Sequence, residues 1–318
     1  MYLKLIQPKM KMRPMDTGMK IRMAPHLGLL TIANLFRNVH RVVIENENIA
    51  EIIYDDRPDI VGITVTVDTL PRAVEIAQEF RRRGIPVVAG GIHITTAEHF
   101  IPEHCFDALC VGMAEGTWPN IMQDLAKGCL QKVYRCSRQL QAEDIISPAY
   151  DLISKQDYLY CNIVHTSRGC PFGCDFCYNS GASHQYLKRA IPDVIHDIME
   201  VHSQHIMFID DNFIGDPAWT YQFLQAIKPM KLKWNAAVSA NISELPSLLD
   251  EMKDSGCQSL FIGFESVNQT SLHAVHKKQN QVKQYEKLVK MIHERGMMIH
   301  ASFVFGLDED TPELFLQH

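Results

Sequence analysis

Short apolar runs alternate with longer stretches whose apolar residues recur at helical spacing, and the pattern passes along the chain twice. Over residues 1–135 the runs are YLKLIQP near the start, RVVIEN (41–46), DIVGITVT (59–66), IPVVAGG (85–91) and DALCVG (107–112). Between them lie HLGLLTIANLFR (26–37), NIAEIIYDD (48–56), LPRAVEIAQEFRRR (70–83) and EGTWPNIMQDLAKG (115–128), which predict helices. Strands this apolar suit a parallel sheet buried on both faces, joined by right-handed helical crossovers. The expectation is an α/β, doubly wound, Rossmann-like domain whose ligands sit at the carboxyl ends of its strands. Those ends carry glycine and small polar residues: Thr64, Thr66, Gly90, Gly91 and Gly112. Such residues let a ligand approach the backbone closely, and they equally suit tight turns.

Residues 136–160 break the rhythm with charge, a Ser-Pro step and no period, and read as a linker. A second series occupies 161–318. Its strand candidates are CNIVHTSRG (161–169), HIMFIDD (205–211), LKWNAAVS (232–239), SLFIGFES (259–266) and MMIHASFVFG (297–306). Helical stretches such as IPDVIHDIMEVH (191–202), LPSLLDEMKDSG (245–256) and VKQYEKLVKMIHERG (282–296) separate them. Repeated parallel units of this size predict part of a β/α barrel, with its chemistry at the strand carboxyl ends. Residues 9–23, rich in Met and basic side chains, read as a mobile loop.

Composition narrows the class. A chain of 318 residues with 46% hydrophobic and 21% charged residues can bury two ordinary cores. A net charge of −6 argues against general nucleic-acid or anionic-membrane binding. No apolar run approaches the roughly 18 residues of a membrane span, and the N-terminus lacks a secretory apolar core. A cytoplasmic setting follows, in which nine cysteines are not a disulfide framework. Cys105, Cys110, Cys129, Cys136, Cys161 and Cys257 share no ligand spacing and read as small buried hydrophobes.

The stretch SRGCPFGCDFCYN (167–179) is different, because Cys170, Cys174 and Cys177 fall within eight positions. A thioredoxin-type pair would use Cys174 and Cys177 and leave Cys170 idle. Structural zinc normally takes four protein ligands, so His165, His184 or a more distant group would have to complete it. A cubane iron–sulfur cluster suits the spacing better: each thiolate takes one iron and the fourth iron stays open to an exchangeable ligand. Gly169, Pro171 and Gly173 let the loop bend around inorganic sulfides.

With this loop placed after a first barrel strand, the chain resembles the radical S-adenosylmethionine (radical SAM) enzymes. The resemblance implies that Cys170, Cys174 and Cys177 hold a 4Fe-4S cluster whose fourth iron is chelated by SAM. An electron from the cluster then cleaves SAM to a 5′-deoxyadenosyl radical. Phe176 matches the aromatic near the adenine. Asp210 and Asp211, in FIDDNF, stand where the family often has the Gly-Gly-Glu that binds the SAM amino group. Glu265 and Ser266 in IGFES match the fourth-strand site for the ribose or methionine part, and Gly306 in SFVFG the fifth-strand motif near the adenine. Plainer roles exist for each: a cap for either aspartate, a surface charge for Glu265, a turn for Gly306.

The first domain resembles the cobalamin-binding domain that precedes radical SAM in one large subclass, through PHLGLLTIANL, DIVGITVT, VVAGGIH and CVGMAEGTWP. Thr64, Gly90, Gly91, Gly112 and Glu115 are its implied cobalamin contacts. The Asp-x-His-x-x-Gly signature that supplies a cobalt ligand elsewhere is absent, and His93 is a candidate by location alone, fitting a solvated or capping role better. The resemblance implies a cobalamin-dependent methyltransferase acting on an unactivated carbon of a small-molecule or modified-peptide substrate, with flavodoxin or ferredoxin as electron donor. A cyclase or rearrangement enzyme of the same domain order is the alternative, and a non-catalytic zinc module the reading from another class. A full radical SAM barrel has six units, so the chain, which stops after its fifth strand, is expected to be truncated.

Overall fold

The computed structural model describes residues 1–102, 104–136, 138–182, 186–312 and 314. His184, a possible zinc ligand above, lies outside them. Contacts divide the chain into two compact units, Met1–Cys161 and Asn162–His318.

Unit one runs β1 (Tyr2–Gln7), α1 (Leu27–Phe36), β2 (Arg41–Asn46), β3 (Ile60–Thr64), α2 (Leu70–Arg82), β4 (Val87–Gly90), α3 (Ile92–Thr96), β5 (Ala108–Val111), α4 (Ala114–Lys127) and β6 (Val133–Arg135). The strands are parallel, in the order β2-β1-β3-β4-β5-β6. Strand alternation sends Leu3, Leu5, Ile60 and Val88 to the face covered by Leu29, Ile32 and Phe36 of α1 and Trp118 and Ile121 of α4. Ile6, Val61, Ile63, Val87 and Ala89 face Ala73, Ile76, Ala77 and Phe80 of α2. The chain leaves β1 for β2 on one side and returns to β3 on the other, so the topological switch lies between β1 and β3.

Three expectations change here. The helix expected over 48–56 is irregular, because Lys4, fully buried, draws that segment inward. Its Nζ donates to Ile53 O at 2.6 Å and sits 2.8 Å from Glu45 Oε1 and 2.7 Å from Asp56 Oδ2. Glu45 also accepts the Ile53 N–H, so these backbone groups are satisfied without a helical ladder. Strand β6 was not legible, since only Tyr134 of its three residues is buried. The segment read as a linker packs onto unit one: Asn34 Nδ2 donates to Ser147 O at 2.9 Å, the Ala149 N–H to Leu30 O at 3.1 Å and Asn46 Nδ2 to Tyr158 OH at 3.2 Å. Leu140, Ile145, Ala149 and Tyr150 are buried there. The basic Met-rich stretch is an exposed loop, tied at its end by Leu159 N–H to Arg22 O and Tyr160 N–H to Met23 O, both 2.8 Å.

Unit two runs β7 (Ile163–Val164), β8 (Ser167–Arg168), α5 (Tyr178–Ala182), β9 (Leu187–Lys188), α6 (Ile191–Val201), β10 (His205–Phe208), α7 (Pro217–Ile227), β11 (Lys233–Val238), α8 (Pro246–Asp254), β12 (Cys257–Glu265), α9 (Gln269–Ala274), α10 (Tyr285–Glu294) and β13 (Met298–Phe303). β7, β10, β11, β12 and β13 pair in parallel and in chain order, the arrangement of a partial β/α barrel. Phe208, Phe213, Phe223 and Trp234 form an aromatic core under β10 and β11, with ring centroids 5.2–6.1 Å apart. The single strand expected over 161–169 is split. β8 leaves the sheet and pairs antiparallel with β9, because Asp210, just beyond β10, takes the Thr166 and Ser167 amides.

Of the six cysteines read as buried, Cys105, Cys110 and Cys257 are; Cys129 is exposed and Cys136 and Cys161 are half-buried. Among the described residues no helix is long and apolar enough to cross a membrane.

Candidate functional site

The cysteine loop leaves β8 and is fastened at both ends. Asp210, just beyond β10, turns inward, and its Oδ1 accepts the Thr166 N–H at 2.8 Å, the Ser167 Oγ–H at 2.8 Å, the Thr166 Oγ1–H at 3.1 Å and the Ser167 N–H. Burial pushes its carboxyl up to about 6, against the pull of those donors. Asp210, expected beside SAM, braces the turn into the loop through these bonds. Asp211 faces the loop itself, accepting the Gly169 N–H at 3.1 Å and the Tyr178 hydroxyl at 2.6 Å. A carboxylate pair that looked equivalent in FIDDNF is thus divided by the strand end, one inward and one outward.

Cys174 is buried and Cys170 and Cys177 are half-buried, all as free thiols. The Cys177 N–H closes a turn onto Cys174 O at 3.0 Å, and Ser180 Oγ donates to the same carbonyl at 2.7 Å. Burial raises the Cys170 thiol, and bound iron would reverse that, since a coordinating thiol is deprotonated outright. Beyond Gly173 the space is open, with no atom within 4 Å of where a Cβ would stand. Among the described residues no group of three or more His, Cys, Asp or Glu is disposed to hold a single metal ion. A cubane makes a different demand, because each thiolate binds its own iron. His165 is buried, with its Nε2 unpartnered and its basicity pushed well down by burial and by Arg168 and Arg189.

The end of β12 comes to the same loop. Glu265, expected either at SAM or on the surface, is buried, with its carboxylate 2.7 Å from Lys277 Nζ. Its φ of 64° is left-handed, a strained setting for a non-glycine residue, at a register shift between β12 and β13. Lys277 Nζ also lies 5.6 Å from the centre of the Phe176 ring, itself 45% exposed. Ser266 is buried and its Oγ accepts the Asn268 N–H at 3.0 Å. Asn280, fully buried, donates to Gly263 O and Phe264 O at 2.9 Å and fixes the strand end. Gly306, at φ 88° with open space at its missing Cβ, follows β13, and the Val304 N–H just beyond that strand donates to Glu265 O at 2.8 Å. Phe176, Asp211, Glu265, Ser266 and Gly306 therefore lie at the carboxyl end of the sheet with the cysteines. Lys277, Gln279 and Tyr178 join them unforeseen, because HKKQN has no period and resembles any charged turn.

In unit one, Thr64, Gly90, Gly91 and Gly112 end three adjacent strands, β3, β4 and β5. Gly91 has φ 102° and ψ −176°, a region open essentially to glycine alone, and a Cβ there would lie 2.9 Å from Thr64 Oγ1 and from the Val65 backbone. Gly112, at φ 89°, has open space instead and donates its N–H to Thr95 Oγ1 at 3.0 Å. Glu115 lies in the first turn of α4. His93 is half-buried in α3. The histidine that meets the strand ends is His26: its ring accepts the Leu29 N–H and contacts Thr64 Oγ1 at 3.0 Å, and burial lowers its basicity.

Two family models match this chain in tandem, the B12 binding domain over residues 23–122 and the radical SAM superfamily over 164–318. The chain belongs to the radical SAM superfamily, in its cobalamin-binding branch. Bacteriochlorophyllide d C-12(1)-methyltransferase of Chlorobaculum tepidum is 26% identical over 98% of this chain and 70% of its own. The anaerobic magnesium-protoporphyrin IX monomethyl ester cyclase of Cereibacter sphaeroides is 23% identical over 85% of this chain and 50% of its own. The radical SAM methyltransferase TsrM of Kitasatospora setae, solved with tryptophan and a SAM analogue, superposes with a TM-score of 0.76 at 17% identity, covering 98% of this chain and 69% of its own. Its likeness establishes the two-domain fold.

A radical SAM enzyme of this branch uses a 4Fe-4S cluster, SAM and cobalamin. The residues present fit all three. The loop offers three uncrosslinked thiols beside open space at Gly173, unit two adds strand-end polar groups at Glu265 and Ser266, and unit one adds glycine-lined strand ends with space at Gly112.

Proposed function

We propose that this radical SAM enzyme is a cobalamin-dependent C-methyltransferase that methylates an unactivated carbon of a small-molecule or modified-peptide substrate. The observation that carries the reading is the presence, in one chain, of a three-cysteine loop at the carboxyl end of a parallel sheet and a B12 binding domain before it. When bound, the cluster with SAM supplies a hydrogen-abstracting 5′-deoxyadenosyl radical, and cobalamin a methyl carrier. In this reading Cys170, Cys174 and Cys177 bind three irons and leave the fourth for SAM. Asp210 braces the loop. Asp211, Glu265, Ser266 and Lys277 present charge and hydrogen bonds to the polar parts of SAM, while Phe176 and the backbone at Gly306 flank its adenine. In unit one, Thr64, Gly90, Gly91, Gly112 and Glu115 line the corrin site. A cytoplasmic flavodoxin or ferredoxin is the matching electron donor.

The test is anaerobic reconstitution with iron, sulfide and hydroxocobalamin, followed by SAM and a strong reductant. Formation of 5′-deoxyadenosine above a Cys174→Ala control is the expected result, and none above that control rejects the reading. The similarity to a tetrapyrrole cyclase over 85% of the chain favours a second reading, ring formation. SAM deuterated in its methyl group separates the two: label in the product marks methyl transfer, and an unlabelled cyclised product marks the cyclase.

A further inference from the structure

The segment after α9 runs beside the cysteine loop and touches it residue by residue. The Asp175 N–H donates to Val275 O at 3.1 Å, and the Asp175 carboxylate meets His276 Nδ1 at 2.7 Å. Lys277 lies over Phe176, and Gln279 Nε2 stands 3.3 Å from Cys174 Sγ. Cys174 is the most buried of the three loop cysteines, and the contact with half-buried Gln279 is partly shielded from water. Gln279 Oε1 is buried with no hydrogen-bond partner, so nothing on that side holds the amide the other way round. An iron-bound thiolate can only accept, which leaves the NH₂ group as the atom that must face it.

We propose that Gln279 is a positioning residue that raises the reduction potential of the iron–sulfur cluster, its Nε2–H donating to the Cys174 thiolate. This rests on the cluster assignment made above. One-electron reduction adds a negative charge shared by the irons, sulfides and thiolates. A donor dipole aimed at a ligand sulfur stabilises that added charge, and hydrogen bonds to sulfur are among the factors that set cluster potentials. Partial burial strengthens the effect, because a lower local dielectric screens the dipole less than water does. The geometry thus links the segment after α9 to the electron-accepting step through a single amide.

The experiment is a redox titration of the reconstituted cluster, followed by electron paramagnetic resonance and paired with iron and sulfide analysis. Wild type, Gln279→Leu, Gln279→Glu and His276→Leu are compared. Gln279→Leu is expected to keep its iron and shift to a more negative midpoint, with about tenfold less reduced cluster at fixed potential, which is ~59 mV for one electron. Gln279→Glu should shift further, since a carboxylate then faces the thiolate. His276→Leu removes a contact of the same segment that does not touch sulfur and should leave the potential unchanged. A Gln279→Leu protein with full iron and the wild-type potential overturns the proposal, as does an equal shift in His276→Leu. Should Gln279→Leu bind no cluster, Gln279→Asn, which withdraws the amide by one methylene, carries the same comparison. Wild type that takes up no iron would sink the cluster assignment itself, a result distinct from an iron-loaded variant with an unmoved potential.

Discussion

Lys277 Nζ lies 2.7 Å from Glu265 Oε1, with both side chains buried at the carboxyl end of β12. A buried pair of this kind tolerates the loss of neither partner, because the survivor keeps its charge without its counter-ion. Lys277→Met should therefore destabilise the protein by ~3–5 kcal/mol. Adding Glu265→Gln to that variant should recover a large part of the loss. Urea unfolding of the two variants checks this. An unchanged midpoint in Lys277→Met would mean that Glu265 has another partner.

Asp210 gives stability a pH signature. The folded protein keeps its proton up to about pH 6, whereas the unfolded chain releases it near 3.8. The folded state therefore binds the extra proton between those values, and the associated stability is full below pH 3.8 and lost as pH rises through 6. Asp210→Asn, which still accepts from Thr166 and Ser167, has no such dependence. Its stability relative to wild type should rise by roughly 2 kcal/mol between pH 4 and pH 7. Parallel denaturation curves at the two pH values decide the point.

The two strained glycines of unit one should respond differently. Gly91→Ala forces an L side chain into a left-handed backbone and onto Val65, which should cost ~2 kcal/mol or more. Gly112→Ala meets open space and should cost only the conformational part, ~1–2 kcal/mol. That open space is assigned to the corrin, so Gly112→Ala should retain less cobalamin after desalting, read by absorbance. Equal cobalamin retention in Gly112→Ala and wild type would remove this glycine from the corrin site.

Replacing Cys170, Cys174 or Cys177 by alanine should each abolish the brown chromophore and most bound iron after anaerobic reconstitution. Cys129→Ser, at an exposed position, should change neither. Iron analysis and visible spectra make the comparison. A Cys170→Ala protein with wild-type iron would show that the loop does not ligate through this residue.

Much of the fold was legible because its signal is local. Apolar runs marked β1 to β5 and β10 to β13, and helical spacing marked α1, α2, α4, α6, α8 and α10. Apart from the short, mostly exposed β6, the misses named here share a cause, which is that a partner far along the chain decided the local backbone. A buried Lys4 unmade the helix at 48–56, and Asp210 peeled Ser167 and Arg168 off the sheet. Likewise α1 gathered in the segment read as a linker.

The site divides the same way. The sequence by itself determined which ligands the chain can offer, since three thiols at spacings of four and three are held within reach of one another by covalent proximity alone. Only the tertiary structure decided which polar residues serve them. Asp210 and Asp211 are neighbours with opposite directions, and Lys277 and Gln279 reach Phe176 and Cys174 from about a hundred residues away. The physical reason is that a metal-binding loop is set by backbone reach over a few residues. The charge and hydrogen bonds around it depend on which strand ends fold to the same place.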